Sequence, residues 1–559
     1  LPAIDATLDR AARARALLML ALLALVLTLA RLAYLAWLSP YELSEDEAFY
    51  WEWALRPDWS YATKGPGIAW SIWLAVRALG DTELAIRSVA AVSAGVATLA
   101  VGGLAHDVAG AMARAGGETV ADACARARRT GVWAALLFNL APVFQGTALL
   151  CTIDGPYLAC WAVSVWAGWR ALACASRGAW IALGLAIGAG FLFKYTILLL
   201  PPGLLLFAWL YRARLRMSRG WALWLGAGAL FALLGLLPVA VWNSQHDWQT
   251  VRHLLGHLGV QGGDVQVVRA PGAVQGPAFP LQWTLELVAT QLGLLVPIVP
   301  ALVAGVIWCV RRGGAPVAGV FARSQATGYL LLCAAPVLLF YLLVTLQTEA
   351  EANWPIAGYI TLLPVGALWL TQRHEPAALL RLARRAAVIG GLISALVLHR
   401  MDWARGALSV ISPKVGAALP VQRLIGGRAM AQDVARRAGE LRARTGLEPL
   451  LMVEHYGQAS RIRFYLPRSP GELPPVVYAV QSRAGGRKVQ HDFWADTNLD
   501  APELRGRPGV LVGGPADGAI WLRAFEKVEA RGPLSGETKA NRPSFDGIGY
   551  TGFAPAPAR

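Results

Sequence analysis

Residues 44–70 read SEDEAFYWEWALRPDWSYATKGPGIAW, and the fold is read outward from them. The stretch follows the first long apolar run. It sets Glu45, Asp46 and Glu47 in succession, then an aromatic-rich segment, then Lys64 before a Gly-Pro-Gly turn. Ser44 with Glu47 three residues on matches a capping box, which alone would account for an acidic helix start. The aromatics Phe49, Tyr50, Trp51, Trp53, Trp59 and Tyr61 point instead to a crevice. There a partly desolvated carboxylate can take a proton from a hydroxyl. Charges at the mouth of apolar helices are costly to place and are expected to work. The stretch is expected to hold the reacting end of a lipid-linked substrate, with Asp46 or Glu47 serving the acceptor and Lys64 a phosphate.

The 559 residues are 56% hydrophobic and only 15% charged, with 23 Trp, which excludes an ordinary soluble protein. Apolar runs long enough to span a bilayer, or nearly so, fall at 16–38, 83–105, 131–150, 155–174, 180–199, 201–211, 220–242, 281–310, 327–346, 354–371 and 386–400. Residues 66–79 are apolar but short and begin near Pro66, so they read as a helix lying on the bilayer. The net charge of +16 raises nucleic acid as a partner, but the arginines sit in short loops between apolar runs. That is the pattern of membrane orientation, and no nucleic acid partner is expected. Six cysteines show no paired spacing, so neither a disulfide framework nor a thiolate metal site is indicated. Leu1–Arg15 reads as a cytoplasmic tail before a first membrane helix and not as a removed signal.

Loop charges test the span count. Arg10, Arg13 and Arg15 put the N-terminus inside. Alternation then places on that side Arg114, Arg126, Arg128 and Arg129; Arg170 and Arg177; Arg212, Arg214, Arg216 and Arg219; Arg311, Arg312 and Arg323; and Arg373, Arg381, Arg384 and Arg385. The opposite loops hold Arg56, Lys64, Arg252 and Arg269. The expected fold is an α-helical polytopic membrane protein of about eleven transmembrane helices, with a small C-terminal α/β domain on the outer face. Residues 1–400 form the transmembrane part with a first outer loop at 39–80, and 401–559 the outer domain. Within that domain 448–456, 461–467, 474–480 and 508–514 read as short buried strands, and 421–445 as an amphipathic helix. From Pro533 on, Pro, Gly and Ser suggest a loosely ordered tail.

The alternation gathers polar residues on one face. Asp154 precedes Gly-Pro and a new span, where it could cap the helix, face the site, or both. Lys194 is flanked by apolar residues within a span, and could bind a lipid phosphate or snorkel outward. His246 and His253 lie near Asp247 and could ligate a metal with Asp46 or Glu47, although their spacing matches no tight zinc motif. Glu349, Glu351 and Asn353 could hold a divalent cation or an amino-bearing substrate. The identity of any metal is left open.

The motifs SEDEAFYWEW (44–53), DWSYATKGPGIAW (58–70), TIDGPYLACW (152–161), GFLFKYTILLLPP (190–202) and EANWP (351–355) resemble those of polytopic lipid-dependent glycosyltransferases of the GT-C class. The likeness extends to RIRFYLP (461–467) and VQHDFW (489–494). It is to bacterial family 39 relatives of protein mannosyltransferases and to the aminoarabinose transferase that modifies lipid A. The resemblance implies a polyprenyl-phosphate sugar donor and inversion at the anomeric carbon. It also implies transfer on the periplasmic side of the bacterial inner membrane, and it leaves the acceptor, an envelope lipid, glycan or protein, open. By the same likeness Asp46 matches the essential first-loop aspartate, Glu47 its neighbour, Lys64 the lysine on the donor phosphate and Asp154 a second acidic site residue. Gly65 stands where the family has the first proline of Lys-Pro-Pro, which questions the rigidity of this loop. A transporter or flippase of lipid-linked sugars is the alternative, and would call for broken helices and pseudo-symmetric halves. A non-catalytic scaffold is a third reading.

Overall fold

A computed structural model describes residues 2–257, 260, 262–264, 279, 281–312, 325–372, 375–417, 419–469, 471–536 and 542–554. Arg269, Arg323 and Arg373 of the loop-charge pattern lie outside the described residues.

The helices run α1 (Pro2–Trp37), α2 (Glu45–Ala54), α3 (Gly67–Leu79), α4 (Glu83–Ala115), α5 (Val120–Leu140), α6 (Pro142–Leu149), α7 (Asp154–Ala173), α8 (Arg177–Phe193), α9 (Leu200–Leu210), α10 (Trp221–Gln245), α11 (Gln249–His257), α12 (Gln282–Leu295) and α13 (Val299–Arg312). Further helices at Gln325–Val344, Ile356–Thr371 and Ala377–His399 complete the apolar bundle. Among the described residues, five helices are long and apolar enough to cross a membrane. The count rises to seven if each of two bent pairs is one span. The chain is a multi-pass helical protein, and the expected eleven spans are not all of crossing length.

Two runs read as single spans are broken. The run at 131–150 bends by 71° between α5 and α6, and the one at 281–310 by 109° between α12 and α13. Proline causes both breaks, Pro142 at the start of α6 and Pro297 between α12 and α13, because its ring displaces the preceding turn and it donates no hydrogen bond. The basic segment up to Arg15 is, from Pro2 on, part of α1.

α2 is ten residues long, below the roughly 12–15 at which an isolated helix holds in water. Its start is fixed by the capping box, in which the Glu47 amide donates to Ser44 Oγ at 3.3 Å and the Ser44 amide to Glu47 Oε2 at 2.9 Å. Its length is held by burial from Glu47 to Ala54. Trp51 and Trp53 are wholly enclosed, and Trp53 stacks on Tyr61 with ring centroids 4.3 Å apart. Each such side chain contributes about 1.5–3 kcal/mol or more.

The C-terminal part carries a five-stranded sheet in the order β2–β1–β3–β5–β4, from β1 (Leu450–Val453), β2 (Val477–Ala479), β3 (Gly509–Val512), β4 (Phe525–Ala530) and β5 (Ser544–Tyr550). β1 pairs parallel with β2 and β3, and β5 pairs antiparallel with β3 and β4. Three of the four expected strands are present. The fourth, 461–467, lies mostly in a helix, Tyr456–Tyr465. The alternation Arg-Ile-Arg-Phe mimics a strand, but here both arginines are buried on carboxylates, Arg461 on Glu42 and Arg463 on Glu52. The expected loose tail contains β5, seated inside the sheet; residues 537–541 and 555–559 lie outside the described residues.

One hydrophobic core joins the first loop to this part of the chain: Phe49, Trp51 and Trp53 pack with Val434, Val453, Ile462 and Phe464. Glu52 sits beneath them, fully enclosed, with Arg463 Nη1 at 2.6 Å, His491 Nε2 at 3.1 Å and Ser460 Oγ at 2.5 Å. The C-terminal part is thus fastened to α2 by oil and by charge.

Candidate active site

A cavity of about 510 Å³ opens where the first loop, the ends of α7 and α8, α11, the segment before Ile356–Thr371 and the C-terminal part meet. Asp46, Lys64, Asp154, Lys194, His253, Glu351 and Asn353 all line it. Residues far apart in sequence are therefore brought to one space. Phe49, Tyr50, Phe193, Phe340 and Trp354 supply apolar walls, and Arg423, Tyr456 and Arg487 come from the C-terminal part.

Asp46 sits in the first turn of α2, beside the positive end of its dipole. Its carboxylate is open to the cavity yet enclosed by the bulk of the protein. This desolvation, with repulsion from Glu45 and then Glu47, raises its pKa above the ordinary range despite the opposing pull of Lys64. Glu47 points the other way. It is fully enclosed and takes Arg87 Nε at 2.8 Å on Oε1 and Nη2 at 3.0 Å on Oε2. It also accepts from the Cys151 amide at 2.9 Å. Arg87 in turn donates to the carbonyls of Tyr41 and Glu42. Glu47 is not among the cavity-lining residues, which corrects the expectation that it shares the reacting position with Asp46. It ties α2, α4 and the strand of chain leading to Asp154 into one node.

Lys64 projects from a turn whose backbone is fixed by its neighbours. Its carbonyl accepts from the Tyr61 amide at 3.1 Å and from Ser60 Oγ at 3.2 Å. The departure from Lys-Pro-Pro has a steric cause: a Cβ on Gly65 would lie 2.4 Å from the carbonyl oxygen of Leu192, and one on Gly67 2.9 Å from the Phe193 ring. The glycines let this turn close against the end of α8. Burial, then repulsion from Lys194, pull the Lys64 pKa down to about 8, with Arg487 adding to the fall and Asp154 and Asp46 opposing it. Among the described residues no carboxylate pairs with its ammonium.

Lys194 lies at a break between two helical elements and not inside a continuous helix. α8 ends at Phe193, and Lys194 takes an extended conformation (φ −150°, ψ 121°) before a 3₁₀ turn at Tyr195–Leu199, which turns its side chain into the cavity. There Nζ meets Asp154 Oδ1 at 2.8 Å, while Asn353 Nδ2 donates to Asp154 Oδ2 at 2.6 Å. Asp154 is the first residue of α7 and caps nothing; Ile153 is the cap, and it has no side-chain bond to the helix.

His253 Nε2 lies 3.0 Å from His257 Nε2, and Arg487 Nη1 lies 3.4 Å from His253 Nδ1. Asp264 Oδ1 also lies 3.4 Å from His253 Nδ1, and burial first, then Arg487, pulls the His253 pKa down to about 2. His246 is elsewhere, stacked flat on Trp242 at 3.9 Å, and Glu349 is exposed outside the cavity. Among the described residues no three His, Cys, Asp or Glu side chains group as a metal would need, so His246, His253, Glu349 and Glu351 do not assemble the cation site suggested by the sequence. Sequence reasoning missed Arg87, Glu52 and Arg487. An arginine inside a long apolar helix was a usable signal for the first; the others carried none.

By fold and sequence the chain is similar to the polytopic GT-C glycosyltransferases. A model of the dolichyl-phosphate-mannose-protein mannosyltransferase family matches residues 123–242, which include Asp154 and Lys194. Among particular proteins, the lipid A galacturonosyltransferase RgtD of Rhizobium johnstonii is 26% identical over 357 residues, 63% of this chain. The match spans 64% of that relative's length, just under two thirds. ArnT from Cupriavidus metallidurans, solved in the apo state and bound to undecaprenyl phosphate, shares the fold with TM-scores of 0.52 and 0.51. Both superpositions cover 95% of this chain and 97% of ArnT at 15% identity.

Proposed function

We propose that this chain is an inverting glycosyltransferase that moves a sugar from a polyprenyl-phosphate donor to a hydroxyl of an envelope acceptor on the outer face of the bacterial inner membrane. The observation that carries the reading is that Asp46 and Lys64 share one cavity with apolar walls. The acceptor oxygen attacks the anomeric carbon and gives its proton to Asp46, whose raised pKa makes it a stronger base than a solvated carboxylate. The bond from that carbon to the donor phosphate oxygen breaks. The carrier leaves as polyprenyl phosphate, its growing charge met by Lys64. Lys194, neutralised by Asp154, orients this wall more than it charges it. The lipid A acceptor of RgtD favours an envelope lipid over a glycan or protein. The helix breaks at 141–142 and 296–298 contribute no residue to the cavity, so the transporter reading gains nothing from them.

Purified protein incubated with labelled polyprenyl-phosphate sugars is expected to release free carrier and glycosylated acceptor together. Translocation of intact donor, or no turnover with any such donor, would overturn the reading.

The rate should follow a bell in pH. Its acid limb lies above the ordinary carboxylate range, because Asp46 must be ionised to act. Its alkaline limb lies near pH 8, where Lys64 loses its proton among Lys194, Arg487, Asp154 and Asp46. Lys64→Arg, charged at any working pH, should abolish that limb; a limb that stays near 8 in this variant would remove Lys64 from the role.

Gly65→Ala is expected to push the Lys64 turn off the end of α8, lowering the melting transition because the clash is with backbone, and transfer per folded protein should fall by roughly 10²-fold per ångström of displacement. Transfer at the parent rate would show that the close approach has no part in placing Lys64.

A further inference from the structure

We infer that Glu45 and His455 form a positioning pair that sets how strongly Asp46 draws the acceptor proton, with His455 supplied by the C-terminal part of the chain. The inference rests on the reading above, and it gives that part a share in the chemistry without contact with substrate. Neither residue is among those lining the cavity, whereas their neighbours in sequence, Asp46 and Tyr456, both are. Glu45 Oε2 lies 3.3 Å from His455 Nδ1. The two side chains are 33% and 41% exposed, so the pair exchanges protons with bulk water. Their approach depends on Gly457, where a Cβ would fall 2.8 Å from the Glu45 Cβ and 3.4 Å from the His455 ring. The helix Tyr456–Tyr465 is held against α2 from both ends of its first turn. Tyr456 packs on Phe49 with ring centroids 4.5 Å apart, and Ser460 donates to the buried Glu52.

His455 Nδ1 has two competing partners. The Gly457 amide lies 3.3 Å from it and donates to it while that nitrogen carries no proton. A ring protonated there gives up that bond and donates to Glu45 instead. The two states place different charge beside Asp46. With the ring neutral, Glu45 adds its negative charge and disfavours a second one on Asp46. With the ring charged, His455 offsets that repulsion. Burial is the first cause of the raised Asp46 pKa and Glu45 the next, while Lys64 and His455 act against them. The other titratable groups facing Asp46 are Glu47 and Tyr50 on its own helix and Tyr456, with Arg487 beyond it. Glu47 is already bound to Arg87, which leaves Glu45, His455 and Lys64 to adjust the base.

The test is the pH dependence of single-turnover transfer by the full-length protein with saturating donor. Its acid limb reports the ionisation of Asp46. Glu45→Gln removes a negative neighbour and should move that limb to lower pH. His455→Asn keeps an oxygen that can cap the helix but loses the charge of the protonated ring, and should move the limb to higher pH. Each shift should be about 0.5–1 pH unit, the size of one charge acting through partly screened surroundings. Where His455→Asn does not fold, His455→Gln carries the same prediction. A histidine that only caps a helix would change the melting transition and leave the limb in place. Limbs that stay put in both variants, or move the same way, would overturn the inference while the function proposed above still stands. If Asp46→Asn transfers at the parent rate, Asp46 is not the base, and its role and this pair fall together.

Discussion

Replacing Asp46 by Asn is expected to lower kcat by about 10²–10⁴-fold, the range a positioned general base contributes, while donor binding and the fold survive. The substitution keeps the shape and removes only the charge. That charge is one the fold resists, since burial and the neighbouring Glu45 and Glu47 raise the Asp46 pKa. A group held above its ordinary pKa gains nothing for stability by being ionised, so Asn should leave the melting transition unchanged or slightly raised. No side chain depends on this carboxylate for a hydrogen bond among the described residues. The measurement is single-turnover transfer with saturating donor. Parent-like turnover would assign the proton to another group, and the remaining cavity carboxylates, Asp154 and Glu351, would be the next to test.

Glu47 is expected to behave in the opposite way. Glu47→Ala removes one half of a buried ion pair and leaves Arg87, 2% exposed, with its charge uncompensated. Breaking such a pair costs about 3–5 kcal/mol, a large share of what holds most domains together. The Cys151 and Ser44 amides lose their acceptor as well. Thermal unfolding in detergent should show a drop of many degrees, with activity lost in proportion to folded protein. Glu47→Gln, which keeps one acceptor, should fall in between. A Glu47→Ala protein as stable as its parent but inactive would mean that Glu47 acts on the substrate directly, against the geometry.

The contrast between these neighbours shows what the sequence could say. The order Ser44, Glu45, Asp46, Glu47 announces a capping box, and a box commits its third helical residue to the helix start. Which of the acids then faces a cavity depends on where α2 lies against α4, and Arg87, 40 residues on, decides it. The apolar runs were legible because a bilayer demands length and oil, and their breaks at Pro142 and Pro297 were legible too, had proline been weighed above hydropathy. β1, β2 and β3 could be found as short apolar runs between Gly and Pro. β5, Ser-Phe-Asp-Gly-Ile-Gly-Tyr, could not, since two glycines and an aspartate hide a strand that its neighbours on both sides bury. Arg487 sits between Gly486 and Lys488, with Arg483 close before it, and nothing in that run says which cation reaches the cavity.

Density for a polyprenyl phosphate bound to this protein would test the central claim most directly. The account predicts the phosphate within hydrogen-bond reach of Lys64, with the Asp46 carboxylate about one sugar's width away across the same cavity. A phosphate lodged in any other cavity, with Lys64 and Asp46 both out of its reach, would contradict it.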